Sequence, residues 1–221
     1  MVTNEMCAFI GKAHEFFLVL KKAGFTDELI QEIINSKDNV MAQEMFESLR
    51  VEETTTSILS NPFSSCIVPG TISKFVAKDN FVFNISKRAG VKISFIGSGF
   101  INWFLEKTEK PFPGSFVWGR KLYKNSFDNR ILAELGGHEK AKTTLFELFT
   151  MMKRQAKGEN GRLLNNGWSN IFYILDINGI LRVVNVYWSG NGWGIDAASI
   201  KGLGAWPPDF CVFSCVEKIK N

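Results

Sequence analysis

The 221-residue chain is long enough for one good core plus a small accessory module, and its 45% apolar content is that of an ordinary folded protein. The most apolar early stretch, residues 8–20, is broken by Lys12, His14 and Glu15. It also lacks a basic lead and a small-residue cleavage site, which excludes a transmembrane span or signal peptide there. Four cysteines (Cys7, Cys66, Cys211 and Cys215) make no disulfide framework, so a cytoplasmic protein with no membrane attachment is expected.

The net charge of +4 conceals a split. Residues 1–53 carry five bases against ten acids, whereas the remainder carries twenty-one bases against twelve acids. Such asymmetry points to a polyanion as partner of the second part, with nucleic acid as one case, or to two oppositely charged modules. Residues 71–130 hold eleven bases and four acids.

In chain order, residues 4–23 place Met6, Phe9, Ile10, Ala13, Phe16, Phe17 and Leu20 at helical spacing, and Gly24 stops that helix. Thr26 caps a second helix, with Asp27 and Glu28 in its first turn and Leu29, Ile30, Ile33 and Ile34 on its apolar face. A third carries Val40, Met41, Met45, Phe46 and Leu49. Residues 1–52 therefore read as an acidic three-helix module, too negative for a helix-turn-helix that reads DNA. Residues 53–70, rich in Thr, Ser and Pro, read as a linker.

Residues 71–221 read as a basic α+β domain: an antiparallel sheet with a C-terminal meander, packed by a long helix. Strands are expected at Phe75–Val76, Phe81–Ile85, Val91–Ile96 and Phe116–Lys124, with turns at Lys78–Asn80 and Arg88–Gly90. Residues 100–106 are expected as a short helix, and Pro111–Gly114 as a break. The long helix is expected over 138–157, with Leu145, Leu148, Phe149 and Met152 as its apolar stripe. Phe210–Val216 is the expected last strand.

The meander spans Trp168–Ile200. Asn178-Gly179 suits a two-residue type I′ turn, which would pair Ile177 with Ile180, Leu175 with Arg182, Tyr173 with Val184 and Ile171 with Val186. A second turn, Ser189–Gly192, brings Trp193 opposite Trp188. That register puts Ile171, Tyr173, Leu175, Ile180, Val184, Val186, Trp188, Trp193 and Ile195 on one apolar face, leaving the other mixed and only partly covered.

The residues Ala133–Leu145 (AELGG-x-EKA-x-TTL) and Asn170–Trp193 (NIFY-x-x-D-x-NG-x-LR-x-V-x-VYW-x-G-x-GW) resemble an uncharacterised family of cytoplasmic proteins from small-genomed bacteria. The acidic stretch KKAGFTDELIQEIINSKDN is similar to leader modules of the same group. The resemblance covers about the last hundred residues. It implies a cytoplasmic bacterial protein and carries no activity, cofactor or catalytic residue.

Chemical motifs are sparse. Cys211 and Cys215, four apart on a strand, would lie roughly 13 Å apart, too far for a disulfide or a shared zinc. With two histidines in the chain, neither a metal nor a cofactor is expected. Gly97-Ser98-Gly99 has Asn102 where a dinucleotide fingerprint needs its third glycine, and reads as a tight turn. His138, at a helix start, is expected to be exposed.

Asn185 and Asp196 are expected as cross-strand neighbours beside Tyr187, the most enzyme-like polar group available, though one carboxylate is little for acid–base work. Trp168, Tyr187, Trp188, Trp193 and Trp206 are interleaved with Arg162, Arg182 and Lys201, a combination that can stack nucleobases. The candidate binding residues are thus Arg182, Asn185, Tyr187 and Asp196 on the meander, with Lys87, Arg88, Arg120, Lys121 and Lys124 in the basic segment. The expected function is that of a non-catalytic binding protein. The alternatives are a nucleic-acid or polyanion binder using the basic domain, and a small enzyme centred on Asp196.

Overall fold

The computed structural model describes residues 57–200 and 204–218 (backbone alone for 216–218), with Lys21, Thr26, Asp27 and Gln31 from the N-terminal region. The chain divides into two units, residues 1–53 and 54–221. In the first, Lys21 and Asp27 form an ion pair at 2.8 Å. Of the three helices expected across residues 4–49, only Lys21, Asp27 and Gln31 are described, each helical; the rest lie outside the described residues.

The second unit is α+β. Its strands are β1 (Ser64–Thr71), β2 (Phe75–Val76), β3 (Ile93–Ile96), β4 (Thr108–Glu109), β5 (Phe112–Lys121), β6 (Lys142–Thr143), β7 (Asn170–Leu175), β8 (Leu181–Trp188), β9 (Trp193–Ser199) and β10 (Cys211–Lys218). Its helices are α1 (Ala77–Asn80), α2 (Ser98–Phe104), α3 (Asp128–Glu134), α4 (His138–Ala141) and α5 (Leu145–Arg154). Eight strands make one sheet in the order β1-β5-β10-β7-β8-β9-β3, with β6 also beside β7, while β2 and β4 pair separately. Among the described residues, no helix is long and apolar enough to cross a membrane.

The sheet is mixed, not antiparallel throughout as expected. β3 runs parallel to β9, and both β6 and β10 run parallel to β7. These pairings join segments far apart in sequence, so local pattern carries no sign of them. The residues expected as a linker include β1, an edge strand paired along β5 from Ser64↔Gly119 to Thr71↔Phe112. Pro113 and Gly114, expected to break the chain, lie inside β5. The strand expected at Phe81–Ile85 is reduced to one bridge, Asn84↔Ile93, because Ala77–Asn80 turns as α1 and only Phe81 reaches the core.

The helix expected over 138–157 is two helices. Lys142 and Thr143 run straight beside Tyr173 and Ile174 as β6, and Thr144 then opens α5 with a capping box. The Thr144 hydroxyl accepts from the Glu147 amide at 3.1 Å, and the Glu147 carboxylate accepts from the Thr144 amide at 2.6 Å. That pair satisfies helix-start donors better than a continuing helix could.

Both faces of the centre of the sheet are covered, so β7 is buried at Asn170 to Ile174. On one face, α5 packs Leu145, Leu148, Met151 and Met152 against Phe172, Ile174, Val184, Val186, Trp193, Ile195 and Phe213. An aromatic cluster extends that layer: Phe81 meets Phe75, Phe100 and Phe149 edge-on at 4.9–6.1 Å. On the other face, Ile131, Leu132 and Leu135 near α3 join Ala141, Ile58, Leu59 and Trp206 over Ile171, Tyr173, Val183 and Val212.

The first meander hairpin is one residue out of the expected register. Leu175 pairs with Leu181, Tyr173 with Val183 and Ile171 with Asn185, which moves Ile171 and Tyr173 to the face opposite Val184 and Val186. Asp176 causes this. Its carboxylate accepts from the Asn178 and Ile180 amides at 2.8 and 2.9 Å, and its carbonyl accepts from Gly179 at 3.1 Å. The result is a three-residue loop with a type I turn, in which Gly179 has φ +76° while Asn178 does not adopt positive φ. The second register is as expected, with Trp188↔Trp193 and Asn185↔Asp196. A test follows: Gly179→Ala is expected to lose about 1–2 kcal/mol and Asn178→Ala much less. Equal losses in thermal melts would restore the two-residue turn, which needs positive φ at both positions.

Candidate functional site

The meander candidates separate into two groups. Asn185 and Asp196 are paired and Tyr187 lies two pairs further along, opposite Gly194. The recess there holds about 60 Å³, lined by Val183, Asn185, Asp196, Ala197 and Ala198. Asp196 Oδ1 accepts from the Ala197 amide at 2.8 Å, and the carboxylate is packed against Gly97 and Gly99 at the start of α2. The Gly97-Ser98-Gly99 motif is thereby explained as close packing of α2 on β9. Arg182 points to the other side of the sheet. It donates to Asp176 Oδ2 at 3.0 Å and lies 4.1 Å over the Trp103 ring. Burial pushes the Asp176 carboxyl up, but the donors from Ile180, Arg182 and Asn178 more than offset this and hold it below its ordinary value. His138 is exposed at the start of α4.

The basic candidates also separate. Lys87 and Arg88 are exposed in the turn beside β3, at one edge of the sheet. Arg120 and Lys121 end β5, and Lys124 follows it. Five strand spacings lie between β5 and β3, roughly 24 Å.

A cleft of about 490 Å³ opens where β10 parts from β7 and β6 takes its place. Lys107, Glu109, Lys140, Lys142, Thr144, Glu147 and Cys215 line it. Its interior groups serve the fold. Glu109 accepts from the Leu145 and Phe146 amides at 3.0 Å, closing the start of α5, and pairs with Lys107 at 2.8 Å. Lys107 also donates to the Leu175 carbonyl at 2.6 Å. Glu147, 1% exposed, accepts from Ser115 and from Thr144. Burial raises its pKa against those hydrogen bonds, and the Glu109 charge raises it further. Both Glu147 oxygens are engaged by structural donors, Oε1 by Ser115 and Oε2 by Thr144.

A second buried carboxylate lies on the opposite layer. Asp128, at the first position of α3, accepts on Oδ1 from the Tyr173 hydroxyl at 2.7 Å and from Trp206 Nε1 at 2.8 Å. Burial lifts its pKa to about 6 despite those two donors. The Tyr173 hydroxyl is pushed well up by burial and by the Asp128 charge beside it.

One part of the sheet stays open. On β1, Ser64, Cys66 and Val68 face α5 while Ser65, Ile67 and Pro69 face outward. On β5, Val117 faces the core, so Phe116, Trp118 and Arg120 share the outward side. Ile67 pairs with Phe116, and these are 56% and 38% exposed. Trp118, half-buried, stands between Ser65 and Ser214, both small side chains, so part of its ring is exposed on this side. Arg120 follows on the same side, and its buried Nε meets no acceptor among the described residues. Lys121 is exposed alongside, with Nζ 5.7 Å from the Phe63 ring.

Sequence reading selected Arg120 and Lys121 but missed Ile67, Phe116 and Trp118. The alternation of β1 was the available signal, masked by its Ser and Pro content. Comparison with protein-family models, with curated proteins and with solved structures finds no match for the chain.

Proposed function

We propose that the α+β unit is a binding module, that its contact surface is the open face of β1 and β5, and that its partner is a polyanion. The observation that carries this is the grouping of Ile67, Phe116 and Trp118 with Arg120 on an uncovered sheet surface. A cationic donor with a buried, unpartnered Nε gains an acceptor when an anion arrives, so its desolvation cost is offset by binding. The excess of bases over acids in residues 54–221 adds long-range attraction for the same class of partner. The cleft at the start of α5 supports a catalytic reading less well, because its carboxylates are engaged in helix capping.

Charge reversal tests the location. Arg120→Glu with Lys121→Glu is expected to weaken heparin and nucleic-acid binding tenfold or more at low salt. Lys87→Glu with Arg88→Glu, on the far edge, is expected to change it several-fold less. Equal losses from the two pairs would reject the β1–β5 face as the contact surface.

A further inference from the structure

We infer that the occupant of this face is single-stranded nucleic acid, its bases stacked on Trp118 and Phe116 and its backbone held by Arg120 and Lys121. The inference rests on the polyanion reading above and narrows it to one class of ligand.

Three features of the surface select a single strand. First, the exposed groups are ring faces and not only charges. A duplex hides its base faces within its own stack and offers phosphates and base edges outside, so an aromatic platform gains nothing from it. An unpaired base offers both faces. Second, Phe116 and Trp118 are two residues apart on one strand, which sets the rings about 6–7 Å apart on the same side of the pleat. Ser65 and Ser214 flank Trp118 in register, so both of its cross-strand neighbours are small and part of the indole stays exposed. Third, the cations continue the row. Arg120 is one pleat beyond Trp118 on the same side; Lys121 leaves the strand on the opposite side, paired with Cys211, and its exposed chain carries Nζ to 5.7 Å from the Phe63 ring at the end of the row. A strand laid along β5 would meet stacking groups first and phosphate-binding groups at its end.

The proposal also accounts for Ile67. Directly paired with Phe116, it widens the apolar floor beside the ring, where a base or the apolar part of a sugar would rest.

The test is fluorescence anisotropy with labelled oligo(dT) and oligo(rA) twelve-mers, a hairpin duplex of equal charge, and heparin as competitor, using the full chain. Single strands are expected to bind at least tenfold more tightly than the duplex. Trp118→Ala is expected to weaken single-strand binding roughly tenfold, within the 5- to 150-fold range of one lost stack, and to leave duplex and heparin binding unchanged. Trp118→Phe should restore most of the loss. Should Trp118→Ala fail to fold, exposed Phe116→Ala serves in its place, and Phe116→Leu, which keeps bulk without a π-face, should not restore binding. Equal affinity for single strand, duplex and heparin, with Trp118→Ala and Phe116→Ala neutral, would overturn the stacking inference while leaving the polyanion reading intact. Failure of all three ligands to bind at low salt would overturn both.

Discussion

Asp128→Ala is expected to lose about 2–6 kcal/mol of stability, because it strips the shared acceptor from two buried donors at roughly 1–3 kcal/mol each. The Tyr173 hydroxyl and Trp206 Nε1 would be left in a layer built from Ile131, Leu132, Ile171 and Val212, with no described acceptor in place of Asp128 Oδ1. The loss should depend on pH in a definite direction. The folded pKa, about 6, is above the ordinary carboxyl value of 3.8. The folded protein therefore holds the proton more tightly than the unfolded chain does. The resulting stability is complete below about pH 4 and is lost as pH rises through 6, by about 3 kcal/mol in all.

Asp128→Ala should thus be more damaging at pH 5 than at pH 8. Asp128→Asn, which keeps an acceptor but cannot ionise, should lose the wild-type slope between pH 4 and 6. Urea melts of the three proteins across that range check this. Parallel curves for wild type and Asp128→Asn would show that the carboxyl titrates normally. Asp176 works in the opposite direction, since its pKa is lowered, so the difference between curves is the informative quantity.

Gly99→Ala should be damaging for a different reason. A Cβ there would lie 1.9 Å from the Ala197 carbonyl oxygen and 3.2 Å from Asp196 Oδ1. The first obstacle is backbone, so no rotamer change relieves it, and α2 must move away from β9. That motion would loosen Phe100 and Phe104, both fully buried, from the aromatic cluster. The expected loss is at or beyond the upper end of the ~1–3 kcal/mol typical of overpacking. Gly90→Ala, with open space around its Cβ, is the control and should be nearly neutral. Similar melting temperatures for the two variants would contradict the close approach of α2 to β9.

The parts of the fold legible in sequence are those fixed by neighbouring residues. Trp188 and Trp193 found each other because the Ser189–Gly192 turn joins them directly. The apolar stripe of α5 was visible for the same reason. The β7–β8 register was misread because a side chain, Asp176, captured two loop amides and lengthened the turn by one residue. A shift of one residue reverses every side chain on a strand, so a local error exchanged whole faces of β7.

The break at Thr144 was written in the sequence as Thr-x-x-Glu, but the periodic residues on either side of it outweighed it. The parallel partners of β3, β6 and β10 are set by packing between distant segments and leave no local trace. The open face is the extreme case. Trp118 looks in sequence like any strand aromatic. That its side of β1 and β5 stays partly exposed, at Ile67 and Phe116, depends on how far the α3–α4 layer reaches across the sheet: it covers Leu122 at the end of β5 and stops there.

The central claim is that β1 and β5 present a polyanion-binding surface anchored by Arg120 and Lys121. The most direct test is the salt dependence of oligonucleotide affinity for the wild-type chain and for Arg120→Gln. Each phosphate neutralised on a single strand contributes about −0.7 to the slope of log Kobs against log[salt]. With two or three contacts, the wild type should show a slope of about −1.4 to −2, and Arg120→Gln should flatten it by about 0.7. A slope near zero, or one that Arg120→Gln leaves unchanged, would contradict the account.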